Sequence, residues 1–142
     1  MELDAIRKVA RLLCDSRNIV VFTGAGISTE SGIPDFRSPG GIWSRYNPDD
    51  LTYQRFRSHE KYRKLYWEYD RARYPAMKSA RPNAAHEAVV EIERAGRLLA
   101  LITQNIDGLH QDAGTSKSKI YELHGTVREV SCLDCHARWP RE

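Results

Sequence analysis

The chain has 142 residues, of which 41% are hydrophobic and 29% charged, the balance of a single globular domain. Its net charge of +3 is too small to indicate nucleic acid as a direct partner, and its apolar runs fall far short of the ~18 residues of a membrane span. Three cysteines, an odd number, do not form a disulfide framework, and this cysteine usage predicts a cytoplasmic protein.

The first predicted elements are a helix and a strand. Apolar residues at helical spacing between Leu3 and Leu13 predict an amphipathic helix that ends near Ser16, and Cys14 is predicted to be a core thiol at its end. Asn18 to Thr23 is a short β-branched run, typical of a strand that is buried on both faces.

A glycine-rich segment follows, and Gly24 to Gly41 is predicted to be mainly loop. Gly24 and Gly26 directly after the strand would let backbone N–H groups approach a phosphate, although a plain turn is the alternative. The third glycine of the usual dinucleotide fingerprint is missing, since position 29 is threonine, which argues against an ordinary dehydrogenase. Phe36 and Arg37 could cover a ring and a phosphate of a bound nucleotide. The alternative is a loop that Phe36 anchors, with Asp35 and Arg37 as a surface pair.

The remaining elements alternate helices with strands. The stretch from Phe56 to Met77 is predicted to be helical, and another helix begins after Asn83 as N-cap and ends at Gly96. Leu98 to Thr103 and Lys119 to Gly125 are predicted strands. This alternation predicts an α/β fold with a parallel sheet, whose ligands bind beyond the carboxyl ends of the strands.

Polar side chains follow the second and third predicted strands. Gln104, Asn105 and Asp107 carry groups that can bind ribose hydroxyls and a carboxamide. His124 precedes a glycine after the third strand, where imidazole would serve as a general base. A structural histidine is the alternative.

Cys132 and Cys135 form a C-x-x-C pair, which supplies two of the four ligands of a tetrahedral zinc site. His136 is too close to Cys135 to be a comfortable further ligand. A redox pair is the alternative, but thioredoxin-like proteins place such a pair at a helix N-terminus after a strand. The pair therefore favours zinc.

Six segments in this order resemble the sirtuin family of NAD-dependent protein deacylases. They are GAGIS (24–28), GIPDFR (32–37), PNAAH (82–86), TQNIDGLH (103–110), LHG (123–125) and CLDC (132–135). Because they extend over nearly the whole chain, the protein is identified as a member of that family. The glycine-rich loop is then the sirtuin variant of a phosphate-binding turn.

The resemblance implies an incomplete Rossmann-like NAD-binding domain over residues 1–125, with residues 56–77 in its small subdomain, and the start of a zinc-binding module over residues 126–142. It also implies that His124 is the general base and that Asn105 is catalytic. The cofactor-binding residues would be Gly24, Ala25, Gly26, Ser28, Glu30, Asp35, Phe36, Arg37, Gln104, Asn105, Ile106, Asp107 and His124, and the metal ligands Cys132 and Cys135.

The implied reaction consumes NAD as a co-substrate. The carbonyl oxygen of an acyl-lysine attacks the anomeric carbon of NAD and releases nicotinamide, and the products are lysine and O-acyl-ADP-ribose. Family members that prefer acidic acyl chains carry a Tyr-x-x-Arg pair where this chain has Asp70 and Arg73, so acetyl-lysine in a protein or peptide is the predicted substrate. A binding module without catalysis and a mono-ADP-ribosyltransferase stay open as alternatives.

Sirtuins continue with a second cysteine pair and further strands beyond the point where this sequence ends. We therefore expect the chain to be the N-terminal portion of a longer protein, or a natural half that a second chain completes. Either way, weak or absent catalysis is expected of these 142 residues alone, because an open sheet edge and half a zinc site would remain.

Overall fold

A computed structural model describes residues 2–141, which form two compact units. The first comprises the chain up to Gly24 and from Pro82 onward, and the second is Ala25–Arg81; the division at residue 125 stays a prediction. The helices are α1 (Glu2–Asp15), α2 (Tyr53–Ser58), α3 (Glu60–Ser79), α4 (Ala84–Arg94) and α5 (Leu109–Ala113), and the strands are β1 (Ile19–Thr23), β2 (Leu98–Thr103), β3 (Ile120–Glu122), β4 (Glu129–Ser131) and β5 (Arg138–Pro140). No helix in this range is long and apolar enough to cross a membrane.

The first unit is built on a parallel sheet with the strand order β1-β2-β3, which confirms the predicted parallel pairing. Val21 lies opposite Leu101, and Leu101 lies opposite Ile120. Helix α4 covers one face of this sheet, where Val89, Leu98 and Leu101 form the core. Burial of each such side chain contributes about 1.5–3 kcal/mol. The unit is an incomplete Rossmann-like α/β fold.

Helix α4 begins and ends where its local sequence predicts. The side-chain oxygen of Asn83 accepts hydrogen bonds from the backbone N–H groups of Ala85 (3.0 Å) and His86 (3.4 Å). These are two of the four N–H groups at a helix N-terminus that have no partner within the helix. At the other end Gly96 has a φ of +71°, a left-handed conformation that glycine adopts without strain. The chain then turns directly into β2.

Two strand predictions need correction. β1 is not buried on both faces, because Val20 is 52% and Phe22 is 60% exposed on the face away from α4. The predicted third strand from Lys119 to Gly125 is shorter than expected and contains only Ile120–Glu122. Burial of β1 on both faces would need a second covering layer, which residues 2–141 do not supply.

The prediction that Cys14 is a core thiol is also wrong. Cys14 is exposed, as are the apolar residues of α1 that share its amphipathic stripe, among them Ile6 and Val9. The C-terminus of α1 is instead tied down by Arg97, whose guanidinium donates to the carbonyl oxygens of Leu13, Cys14 and Ser16. These bonds pair carbonyls that the last turn of a helix leaves without partners.

The C-terminal part of the first unit is a hairpin. β4 and β5 are antiparallel, with Glu129 opposite Pro140 and Val130 opposite Trp139. The C-x-x-C pair lies in the connection between the two strands, so the hairpin brings both thiols to one tip.

The second unit contains the aromatic stretch from Phe56 to Met77, which is helical as predicted. It is divided between α2 and α3 at His59, whose backbone is extended (φ −144°, ψ 139°). Tyr62 and Tyr69 are buried in this unit, and the guanidinium of Arg55 donates to the Tyr62 hydroxyl at 2.7 Å. Helical periodicity alone did not indicate the break at His59.

Candidate nucleotide site

The carboxyl ends of the three parallel strands meet at one edge of the sheet. Thr23 of β1 lies opposite Thr103 of β2, which lies opposite Glu122 of β3. The hydroxyl of Thr23 donates to the hydroxyl oxygen of Thr103 at 2.9 Å. Both threonines are buried, so this bond fixes the ends of the two strands relative to each other.

Asn105 is held at this edge from two sides. Its backbone N–H donates to the hydroxyl oxygen of Thr103 at 3.0 Å, and its side-chain amide donates to the carbonyl oxygen of Gly24 at 3.0 Å. The backbone N–H of Gln104 donates to the carbonyl oxygen of Thr23, also at 3.0 Å. The structure therefore brings together Gly24, Gln104 and Asn105, which the sequence placed after two different strands.

His124 lies at the same edge, after β3. Its Nδ1 is 3.1 Å from the backbone carbonyl oxygen of Gln104. Since a carbonyl oxygen only accepts, Nδ1 carries the proton and Nε2 of the neutral ring holds a lone pair. The ring is exposed, so this lone pair is available to take a proton from a bound molecule.

Asp107 and Ile106 belong to the loop that leads into α5. Asp107 is buried, and its carboxylate accepts the backbone N–H of Leu109 at 2.9 Å. Ile106 accepts the backbone N–H of Val127 at 2.8 Å through its carbonyl oxygen. Both contacts hold the loop in place, and Asp107 is the one buried carboxylate at this sheet edge among the described residues.

Gly108 in this loop adopts a left-handed backbone conformation that favours glycine. It has a φ of +76°, and a Cβ there would clash with the guanidinium of Arg128. That guanidinium donates to the carbonyl oxygen of Gly108 at 3.1 Å and pairs with Asp112 at 2.7 Å. Arg128 thus fastens the loop to the chain segment that precedes the hairpin.

Two buried histidines to which the sequence reasoning assigned no role lie behind this edge. His86 is 0% and His110 is 1% exposed, and their ring centroids are 4.8 Å apart. Nε2 of His110 is 3.1 Å from the hydroxyl oxygen of Thr23. His86 is the last residue of the motif PNAAH, and His110 is the last residue of the motif TQNIDGLH. Their place in these two motifs was the signal in the sequence that could have pointed to them.

Burial determines the charge of this histidine pair. It lowers the pKa of His110 to about 4, with the neighbouring His86 adding to the effect and Asp107 opposing it. Burial likewise lowers the pKa of His86, again against the opposing influence of Asp107. Both imidazoles are therefore uncharged near neutral pH.

In the second unit, the start of the glycine-rich loop is a 3₁₀ helix, Ala25–Ser31. The hydroxyl of Thr29 donates to the carbonyl oxygen of Gly26 at 2.9 Å, and Ile33 donates its N–H to the carbonyl oxygen of Ser28 at 3.2 Å. Ser28 is buried, whereas Gly26 and Glu30 are exposed and Ala25 is half-buried. The loop is therefore more regular than its composition predicts.

The segment with Asp35, Phe36 and Arg37 is ordered by short-range bonds. The Asp35 carboxylate accepts from the N–H (2.9 Å) and the hydroxyl (2.6 Å) of Ser38, and these bonds lower the pKa of Asp35. The alternative of an Asp35–Arg37 side-chain pair is thus replaced by an Asp35–Ser38 contact. Phe36 is exposed, with its ring centroid 5.1 Å from that of Trp43.

The hairpin tip carries the two cysteines of the C-x-x-C pair. The pKa of Cys132 is lowered by hydrogen bonds from the backbone N–H groups of Cys135 and Asp134 and by the Cys135 side chain. His136 has a φ of +58°, which lets the tip close with its N–H bonded to the carbonyl oxygen of Cys132 at 3.1 Å. Within residues 2–141 no group of three or more His, Cys, Asp and Glu side chains could hold a metal ion.

Polar groups gathered at the carboxyl edge of an incomplete parallel sheet define the class, an α/β protein of Rossmann-like architecture. The sequence model of the Sir2 family matches residues 24–142. The chain belongs to the Sir2 family.

Curated relatives agree with this membership. An NAD-dependent protein deacetylase from Thermodesulfovibrio yellowstonii is 48% identical over 139 residues, which are 98% of this chain and 53% of the relative. One from Sulfurisphaera tokodaii is 48% identical over 95% of this chain and 51% of its own length. An NAD-dependent protein deacylase 2 from Archaeoglobus fulgidus is 45% identical over 94% of this chain and 51% of its own length. The chain spans about half the length of the curated relatives it matches.

Solved structures give the same result. A Sir2 homologue in complex with NAD has a TM-score of 0.80 and 40% identity over 94% of this chain and 51% of that chain. A Sir2 protein with a deacetylated p53 peptide and 3′-O-acetyl-ADP-ribose has a TM-score of 0.84 and 40% identity over 95% of this chain and 53% of that chain. The incomplete Rossmann-like fold is therefore the Sir2 fold over about half of its length.

Proposed function

We propose that this chain is the N-terminal, NAD-binding portion of an NAD-dependent protein lysine deacetylase. The reaction converts acetyl-lysine and NAD into lysine, nicotinamide and O-acetyl-ADP-ribose. The observation that carries the proposal is the meeting of Gly24, Asn105 and His124 at one sheet edge, with His124 in the tautomer that a general base needs. The names of the deacetylase relatives support the same activity.

His124 would act after nicotinamide has left. In the first step the acetyl oxygen of the substrate bonds to the anomeric carbon of NAD, and the bond from that carbon to nicotinamide breaks. Nε2 of His124 would then take the proton of the ribose 2′-hydroxyl as that oxygen attacks the bound intermediate. The bond of Nδ1 to the Gln104 carbonyl holds the ring and stabilises the imidazolium that results.

The nicotinamide end of the cofactor would be positioned by four residues that follow β2, Gln104, Asn105, Ile106 and Asp107. Asn105 is held by Gly24 and by Thr103, so its position depends on the pairing of β1 with β2. Rigid placement of this kind favours reaction, because near-attack geometry lowers the entropic part of the barrier.

The glycine-rich loop would bind the rest of NAD. Backbone N–H groups around Ala25 and Gly26 would face the pyrophosphate, with Ser28 and Glu30 near the ribose. Asp35 orders the segment through Ser38, and Phe36 and Arg37 would contact the nicotinamide end. These assignments follow from the Sir2 membership of residues 24–142.

Cys132 and Cys135 would hold a structural zinc ion together with two further ligands from outside these residues. The two cysteines fit a zinc ion because zinc binds thiolates. Backbone N–H groups that point at the sulfur of Cys132 favour the thiolate form that zinc requires. Zinc would brace the hairpin tip. Free thiols at this site also support our assignment of the protein to the reducing cytoplasm.

We propose acetyl as the acyl group. Arg73 would be the cation available for an acidic acyl chain, but its guanidinium already bonds Asp70 at 3.0 Å. Asp70 is buried, so this pair is well shielded from solvent. A succinylated peptide that is cleaved faster than the acetylated peptide of the same sequence would contradict the assignment.

The deciding experiment measures nicotinamide release by the purified chain, with and without an acetylated peptide. Slow, peptide-dependent release with O-acetyl-ADP-ribose as product, lost in His124→Ala but kept in the exposed control His59→Ala, supports the proposal. Release without peptide would indicate NAD cleavage or ADP-ribosyl transfer. Binding of ADP-ribose with no turnover is the other outcome expected of these 142 residues alone, whereas failure to bind ADP-ribose would contradict the proposal.

A further inference from the structure

The positive charge of the chain is concentrated in one segment. Residues 53–81 contain nine lysines and arginines and three aspartates and glutamates, whereas the rest of the chain contains thirteen basic and sixteen acidic residues. The small net charge of +3 therefore conceals a segment with a charge of +6 and a remainder with a charge of −3. Charge asymmetry of this kind indicates a negatively charged partner. The reaction proposed above leaves this concentration of charge unexplained.

Most of this charge lies at the surface of the second unit. Seven of the nine basic residues in the segment are exposed. Of its three acidic residues, Asp70 is buried and accepts from the Arg73 guanidinium at 3.0 Å, and Glu68 is exposed. Glu60 pairs with Lys64 at 2.8 Å, but both side chains are at least 69% exposed, so this pair is weak. The segment therefore presents an excess of cations to solvent.

An exposed indole lies among these cations. Trp67 of α3 is 47% exposed, and its neighbours on the helix surface are the residues three and four positions away. Three of these four neighbours are basic, namely Arg63, Lys64 and Arg71. The fourth is the buried Asp70. Trp67 and its three basic neighbours are called the Trp67 platform below.

Contacts between α2 and α3 hold the indole in place. The ring centroid of Trp67 lies 6.4 Å from that of Phe56 and 5.5 Å from that of Tyr66, in edge-to-face geometry. The guanidinium of Arg63 donates to the backbone carbonyl oxygens of Phe56 (3.3 Å) and Arg57 (3.4 Å). Because carbonyl groups carry no net charge, these bonds fix the Arg63 side chain without neutralising it. The platform is thus an accessible aromatic ring with a fixed cation beside it.

We propose that the Trp67 platform binds single-stranded nucleic acid, with a base stacked on the indole and the adjacent phosphates bound by the three basic side chains. Stacking on aromatic rings and ion pairs with phosphates are the contacts by which proteins hold single strands without sequence preference. An acidic peptide would satisfy the cations but supplies no base for the indole, and the bases of a duplex are already stacked on one another. The proposal does not depend on the deacetylase function.

The phosphate contacts are tested with the purified chain and a fluorescein-labelled oligothymidylate of about 15 nucleotides, whose binding is followed by fluorescence anisotropy from about 50 to 200 mM salt. The logarithm of the affinity should fall with the logarithm of the salt concentration with a slope of about −2, since each of three phosphates contributes about −0.7. Arg71→Gln should make this slope shallower by about 0.7. Lys117→Gln, at an exposed lysine of the first unit, should leave it unchanged. The same slope in Arg71→Gln as in the unsubstituted chain would overturn the phosphate contacts.

Stacking is tested separately from charge. Trp67→Ala should weaken binding about tenfold without changing the salt slope, because it removes the stacked ring and no charge. Trp139→Ala, at a tryptophan of the first unit that is 53% exposed, should bind like the unsubstituted chain. Thermal melts establish that each variant is folded.

If Trp67→Ala does not fold, the more conservative Trp67→Phe takes its place. A base stacked on the indole should quench the tryptophan fluorescence of the unsubstituted chain, and this quenching should be lost in Trp67→Phe and kept in Trp139→Phe. Quenching that persists in Trp67→Phe would contradict stacking on Trp67.

Three further results would overturn the proposal. Undetectable binding of the oligothymidylate at the lowest salt concentration would exclude the site, and a duplex bound as tightly as the single strand would mean that charge alone acts. Tighter binding of polyglutamate of the same length would identify an acidic protein as the partner instead. Because none of these measurements involves NAD, their failure would leave the proposed deacetylase function untouched.

Discussion

Nδ1 of His124 lies 3.1 Å from the backbone carbonyl oxygen of Gln104. The contact joins the segment after β3 to the segment after β2, and it leaves Nε2 as the basic nitrogen. A side chain replacing His124 must therefore supply both a donor for the carbonyl and a lone pair for a substrate proton. Only histidine does both at neutral pH.

Replacing His124 with Gln should separate these two requirements. The amide can keep the bond to Gln104, but it cannot accept the ribose proton, so kcat should fall by about 10²–10⁴-fold. The measurement is the rate of O-acetyl-ADP-ribose formation, with ADP-ribose affinity as the control for an intact site. A variant that keeps most of its kcat would exclude His124 as the base.

Stability should depend on pH through His110. Its pKa is about 4 in the folded chain against an ordinary value of 6.5, so the unfolded chain binds a proton over this interval and the folded chain does not. The free energy of unfolding should therefore decrease as pH falls from 6.5 toward 4, by up to about 3 kcal/mol from this group.

The check is urea unfolding at several pH values, compared with His110→Gln, in which that contribution is absent. Carboxylates affect both proteins alike and cancel in the difference. A constant difference in the free energy of unfolding from pH 6.5 to 4 would show that His110 titrates equally in both states.

The sheet offers a matched pair of leucines for measuring burial. Leu101 is 0% exposed and Leu99, two residues earlier on the same strand, is 58% exposed. Leu101→Ala should lower the free energy of unfolding by about 2–5 kcal/mol, because it removes apolar contacts and leaves a cavity. Leu99→Ala should change it by less than about 0.5 kcal/mol. Equal effects would mean that the outer face of the sheet is covered in solution.

The N-cap of α4 should contribute measurably to stability. Asn83→Ala removes the oxygen that accepts the N–H groups of Ala85 and His86, and the expected cost is about 0.5–2 kcal/mol. Exposed Asn18 provides the control, since Asn18→Ala removes a side chain of the same type outside a helix. Chemical denaturation measures both, and equal stabilities would rule out the capping contribution.

Metal binding by the hairpin tip can be followed with cobalt as a spectroscopic probe for zinc. Cobalt added to the reduced chain should give a thiolate-to-metal absorption band that weakens as pH falls, because the ligands must lose their protons. Cys132→Ser should remove the band and Cys14→Ser should keep it. A band that persists in Cys132→Ser would place the metal elsewhere.

Much of the secondary structure could be predicted because its signals are local. The bounds of β2 match the predicted run from Leu98 to Thr103, and Asn83 and Gly96 enclose α4 through bonds within a few residues. Burial could not be predicted in the same way. Cys14 and β1 were assigned to the core because their patterns are apolar, but what covers an apolar face depends on distant parts of a chain.

The sequence by itself determined the family, the strand order along the chain and the residue types available for chemistry, since these lie in short motifs. Only the tertiary structure decided how those residues are used. The bond between Thr23 and Thr103 joins residues 80 positions apart, and the tautomer of His124 depends on a carbonyl 20 positions away. Such contacts exist only after the parallel strands pair, because pairing brings their carboxyl ends to one edge.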